Sequence, residues 1–156
     1  MRPTRTFGNL ILPLCVVLAF LGNSAVRAQA ADKTFKIQAI LIWGTNDEKS
    51  PNPKHKPVDE EVAKKLKDLP LKWTHYFEET RKTLSLPLNS PRKEALSPDC
   101  VIEVKHTGQS KIEVCFIGKG QQVVKQSQDL PKDETLVVAG NAPNQTAWLV
   151  FIKRTE

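Results

Sequence analysis

Downstream of Pro70 the chain is a succession of short apolar runs, each ended by turn residues, and this punctuation limits what it can fold into. Strands are predicted near 73–87 (with a break), 92–97, 101–106, 111–118, 121–127, 134–140 and 147–154. The interruptions are Pro87 to Pro91, Ser97-Pro98-Asp99, Thr107-Gly108, Gly118-Lys119-Gly120, Pro131-Lys132-Asp133 and Gly140-Asn141-Ala142-Pro143. Short strands at such spacing indicate an antiparallel β-sandwich or a partly open barrel. The expected class is mainly β, a β-rich α+β fold with one short helix after the first strand.

Residues 34–44, TFKIQAILIWG, read as that first strand. Phe35, Ile37, Ala39, Leu41 and Trp43 alternate with Lys36 and Gln38. From Ile40 onward both faces are apolar, so the strand should be covered on both sides. The runs Leu136 to Ala139 and Ala147 to Ile152 are expected to join it at the sheet centre. Trp43 shares the phase of Phe35, Ile37 and Leu41 and is assigned to their core row. Gly44 lets the strand end sharply.

Residues 59–69 carry the helix. Asp59 can cap it, and Val62, Leu66 and Leu69 at i, i+4 and i+7 build one apolar stripe. Glu60–Lys64 and Glu61–Lys65 are spaced as i,i+4 pairs. Pro70 stops it.

The first thirty residues read as an address. Arg2 and Arg5 precede an apolar run from Leu10 to Leu21, and Ala28-Gln29-Ala30 offers an A-x-A cleavage site. The run is shorter than the roughly 20 residues a spanning helix needs. Cys15 lies inside the apolar run and not at its end, which argues against lipid attachment. Cleavage after Ala30 would remove 30 of 156 residues and leave 126, one domain from 31 to 156. It would also remove three arginines and no acid, so the net charge of +6 would fall to +3. That balance gives no dense basic stripe for nucleic acid. No second apolar stretch approaches spanning length, and export to the periplasm or outside the cell is the expected fate.

Few residues are spaced for chemistry. The turn at Thr107–Gln109 should set Ile102 and Val104 against Ile112 and Val114, in a register that places Val104 opposite Ile112 and Cys100 opposite Phe116. Cys115 then points to the other face, so Cys100 and Cys115 should stay reduced. A two-residue turn would bring both cysteines to one face and open the alternative of a Cys100–Cys115 disulfide, but it would set Ile102 and Val104 against acidic and basic residues. Cys100 and His106 lie roughly 20 Å apart on one extended strand and cannot share an ion. No H-E-x-x-H or C-x-x-C occurs among the residues, so neither a metal nor a cofactor is expected. Glu78 and Glu79 are adjacent in a strand and point to opposite faces, which denies them the geometry of a glycosidase pair. There is no G-x-S-x-G elbow. Gly118-Lys119-Gly120 is too short for a phosphate loop and reads as a hairpin turn. The short signal looks bacterial, so Asn144-Gln145-Thr146 reads as an incidental match to the N-glycosylation acceptor, in a surface turn.

Two features remain for binding. Trp43, Trp73 and Trp148 are amphipathic side chains that serve either as core or as a platform for sugars or a partner, and Tyr76 stands close to Trp73. The loop from Thr45 to Pro57 is near the long end of ordinary connections. Thr45, Asn46 and Asp47 can form its opening turn, and Pro51, Pro53 and Pro57 should keep it out of the sheet. Lys54, His55 and Lys56 should be exposed on it. Candidate binding residues are thus Thr45, Asn46, Asp47, Lys54, His55, Lys56, Trp73 and Tyr76.

The stretches "AILIWGTND", "LKDLPLKW", the "IEV" strands around a turn, "LVVAGNA" and the final "AWLVFIK" give the mature chain a layout that resembles a group of short exported bacterial proteins of unknown function. The resemblance implies an exported β-rich domain and carries over no catalytic residue. Together these readings predict a non-enzymatic binding or scaffolding domain of the cell envelope, with an unidentified protein or glycan partner. A small secreted hydrolase with an unmarked site is the leading alternative. A third reading is an enzyme inhibitor presenting the 45–57 loop.

Overall fold

The computed structural model describes residues 35–156. The expected signal segment and its cleavage site lie outside the described residues. Among the described residues nine strands form two antiparallel sheets that face each other without closing into a barrel. They are β1 (Phe35–Thr45), β2 (Lys56–Pro57), β3 (His75–Leu86), β4 (Pro91–Ser97), β5 (Cys100–Gly108), β6 (Lys111–Gly118), β7 (Gln121–Asp129), β8 (Thr135–Asn141) and β9 (Ala147–Arg154). The first sheet has the order β2-β3-β1-β9-β8, and the second is the meander β4-β5-β6-β7. The helix α1 (Glu60–Lys67) connects β2 to β3. Among the described residues no helix is long and apolar enough to cross a membrane.

The apolar run in β1 is explained by its two covered faces. Phe35, Ile37, Ala39 and Leu41 pack toward the second sheet, with Val150 and Ile152 beside them and Ile102, Val104, Val114 and Phe116 opposite. Ile40 and Ile42 lie on the other face, in a cluster with Leu149, Phe151 and the helix residues Val62 and Leu66. The helix begins as its sequence dictates: Asp59 Oδ1 accepts the Val62 N–H at 2.9 Å. That bond holds the Asp59 carboxyl below its usual range; burial opposes the shift, and the Arg81 guanidinium reinforces it. Arg81 Nη2 also bonds Asp59 Oδ2 at 2.6 Å, and the same guanidinium reaches Glu78 and Gln38, tying the helix start to the sheet. The helix ends at Lys67, two residues before Leu69, with Asp68 as its C-cap. Of the two expected acid–lysine pairs on the helix, neither forms an ion pair among the described residues, and Glu61 binds Lys153 of β9 instead.

Several expectations are corrected. The apolar β8 lies at a sheet edge, because β9 is followed on that side by β8 alone. Pro57 enters the sheet: Lys56 and Pro57 pair with Glu78 and Phe77 as a two-residue edge strand, where a missing N–H is tolerated. The β5–β6 register is shifted by two residues, with Val104 opposite Val114 and Cys100 opposite Gly118. The turn there does have two residues, Gln109 and Ser110, but Thr107 is an extra unpaired residue. That bulge reverses the parity a two-residue turn would impose, so the cysteines stay on opposite faces and are free thiols. Lys119 and Gly120, at φ 48° and 76°, make the tight β6–β7 turn.

The two ends of the sandwich differ. At one end Leu130 is fully buried and His106 stacks on Phe35 at 4.3 Å, with Arg154 over the same ring at 4.2 Å. That end is closed. At the other end β1 finishes at Thr45 and β9 begins at Ala147, and a cleft is lined by residues of both sheets.

Candidate functional site

Trp43 and Trp148 are cross-strand partners on β1 and β9, on the face that looks toward the second sheet. Phase placed Trp43 in the core row correctly, but the row outruns its cover, and both indoles are half-buried. Each lines its own cleft, and the turn at Ala142 and Pro143 contributes to both.

The first cleft is open, with a volume of about 860 Å³. Trp43 forms its wall, with Asp47, Glu48, Lys49 and Ser50 from one loop and Asn144 from the other. Both loops are braced. Thr45 is buried, and its hydroxyl accepts the Asp47 N–H at 3.1 Å. Asn46 Oδ1 accepts from the Thr74 N–H at 3.1 Å. The backbone of Asn52 and His55 closes a turn at 3.1 Å, and Ser50 Oγ lies 2.8 Å from His55 Nδ1. On the far side the Thr146 hydroxyl donates to the Pro143 carbonyl at 2.7 Å, while Asn144 and Gln145 adopt positive φ. Phe77 and His55 lie 6.2 and 6.1 Å from the Trp43 ring and prop it in place.

The second cleft, of about 580 Å³, lies between the layers. Leu41, Phe116, Ile117, Val123 and Trp148 supply apolar wall, and Glu79, Asp99 and Lys119 bring charge. Two of these residues owe their place to bulges. Glu79 is the unpaired residue between Glu78, opposite Ile42, and Thr80, opposite Leu41. Val123 is unpaired between Gln122 and Val124 and is 51% exposed. Bulges re-aim side chains in this way beside binding sites. Cys100 also lines the cleft, and burial, helped by the charge of Glu79, pushes its thiol pKa up to about 11. Relative to an ordinary thiol of 9.0, the reactive thiolate at pH 8 should be about 100-fold scarcer. Timed iodoacetamide labelling read by peptide mass should therefore find Cys100 slower than a cysteine peptide by that order. Equal rates would show the thiol is not shielded.

The residues singled out from sequence divide by position. Asp47 lines the first cleft, and Thr45 and Asn46 shape the turn beneath it. His55 is folded under the loop against Trp43 and is half-buried, whereas Lys54 and Lys56 are exposed and line neither cleft. Trp73 is buried in the cluster beneath the helix, its indole N–H donating to the Gln145 carbonyl at 2.8 Å. The Tyr76 hydroxyl donates to the Trp73 carbonyl at 2.9 Å, and burial raises its pKa. Both therefore pack the fold away from the clefts. Sequence reasoning passed over Glu79, Asp99, Lys119 and Pro143. Asp99, Lys119 and Pro143 sit in the breaks between strands and carry no other signal, whereas Glu79 lies within β3, where its place beside Glu78 gives no sign of the bulge that turns it into the cleft. Among the described residues no group of three or more His, Cys, Asp or Glu side chains could hold a metal ion. The chain matches no known family model, no curated protein and no solved structure.

Proposed function

We propose that this protein is an exported, non-enzymatic binding module of the cell envelope that holds a short glycan segment in the Trp43 cleft. The observation that carries the reading is a half-buried indole, with Phe77 and His55 beside it, in an open cleft rimmed by Asp47, Glu48, Lys49, Ser50 and Asn144. An indole face offers apolar contact to a sugar ring, and carboxylate, hydroxyl and amide groups around it can bond the ring hydroxyls. The volume is in the range of small-ligand sites, and an open cleft leaves room for a chain of few sugar units to run past the indole. A braced 45–57 loop would also suit the inhibitor reading; the lining of a cleft by its residues 47–51 favours the glycan.

The test is titration of the mature protein with a panel of oligosaccharides, including chitohexaose, cellohexaose and soluble peptidoglycan fragments, followed by calorimetry and amide NMR. At least one should bind saturably and move the resonances of Trp43 and residues 47–50. Trp43→Ala should weaken that binding at least tenfold, and Glu48→Ala should weaken it without disturbing the fold. A panel that leaves the Trp43 resonances unmoved overturns the reading, as does unchanged binding by Trp43→Ala.

A further inference from the structure

We infer that the interlayer cleft is a second binding site, selective for a small hydrophobic ammonium compound, an amine or quaternary ammonium on an apolar body. The inference stands apart from the glycan reading, because neither Trp43 nor the 47–50 rim lines this cleft.

Leu41, Phe116 and Ile117 offer apolar surface between the layers, and Val123 adds a valine half exposed by its bulge. The other large apolar side chains of this domain are buried or half-buried: Val123 and Leu88 are the exposed ones among the described residues. Trp148 brings an indole, the aromatic group that attracts cations most strongly over its face.

Charge selects among apolar ligands. Glu79 and Asp99 line the cleft against the single cation Lys119. Among the described residues neither carboxylate has an ion-pair partner, while six such pairs form elsewhere, so neither is already satisfied by a neighbour. Lys119 reaches Asp99 only through its backbone, the Lys119 N–H donating to the Asp99 carbonyl at 2.8 Å. The field of Glu79 extends into the cleft, since it disfavours ionisation of Cys100. A cleft with two open carboxylates, one lysine and an indole favours a cation over an anion of the same size. A metal ion would find only those two acids and no third ligand grouped with them. An organic cation uses the apolar wall as well, and this is the occupant the whole lining fits.

Three six-carbon probes separate the contributions: hexylammonium, 1-hexanol and hexanoate, each titrated into the mature protein at low salt. Expected is saturable binding of hexylammonium, shifting the Trp148 indole N–H and the amides of Gly118, Lys119 and Gly140. Hexanol should bind at least tenfold more weakly and hexanoate should not saturate. The double variant Glu79→Gln, Asp99→Asn should lose at least tenfold in hexylammonium affinity. Both residues are exposed, so an unchanged amide spectrum away from the cleft will verify that the fold is intact. Equal binding of hexanol and hexylammonium would overturn the charge selection. Shifts confined to other parts of the protein would overturn the site. If the oligosaccharide panel fails while hexylammonium binds here, only the glycan reading falls.

Discussion

Leu66→Ala is expected to destabilise the domain by about 2–5 kcal/mol, lowering the melting midpoint on the order of 10 °C. Leu66 is 1% exposed and belongs to the cluster that joins the helix to Ile40, Ile42, Leu149 and Phe151. Truncation leaves a cavity against two central strands, β1 and β9, whose backbones are held by partners on both sides and cannot collapse into it. Leu69, only partly buried and beyond the helix end, should cost less on the same change. Urea unfolding of the two variants gives the comparison. If Leu66→Ala and Leu69→Ala lose equal stability, or neither loses any, the helix is not docked through the Val62–Leu66 face. The result bears on the candidate site too, because the helix start is bonded through Asp59 to Arg81 and so fixes where the 46–57 loop ends.

That stripe was legible because the helix advertises itself locally. Asp59, the spacing of Val62 and Leu66, and Pro70 all lie within a dozen residues. The covered faces of β1 were legible for a similar reason, since Ile40 and Ile42 add a second apolar face to the odd-numbered row. What failed depended on partners distant in the chain. The run LVVA in β8 is apolar enough for a sheet centre, yet only pairing decides that nothing follows it. The β5–β6 register turned on one extra residue, Thr107, which no hydrophobic pattern records. Trp43 had the right phase, but how far the second sheet extends over a row is a property of two layers. The second cleft was hidden most completely. Glu79 and Val123 enter it only because each is skipped by its partner strand, and a skipped residue looks like any other in the sequence.

Gly140→Ala should expel the Trp148 indole from its seat. Gly140 stands opposite Trp148 on the neighbouring strand, and a methyl group at residue 140 would lie 2.3 Å from the indole Cζ2 and 2.7 Å from Nε1. Three ring atoms fall inside contact distance, so a small rotation of the ring does not relieve the clash. Overpacking of this kind typically costs about 1–3 kcal/mol. The ring is half-buried and has the cleft mouth to move into, so the domain should remain folded with Trp148 displaced. Tryptophan emission should shift to the red, and the indole N–H resonance should move toward that of solvent-exposed indole. The decisive comparison is a double-mutant cycle. In a Trp148→Ala background the space above residue 140 is empty, and Gly140→Ala should then be nearly neutral, leaving a coupling of about 1–3 kcal/mol between the two positions. If Gly140→Ala destabilises equally with and without the indole, the glycine is required for some other reason and does not form the seat. If the coupling is found, the same variant disrupts the indole wall of the interlayer cleft while leaving Glu79 and Asp99 in place, and hexylammonium binding should fall with it.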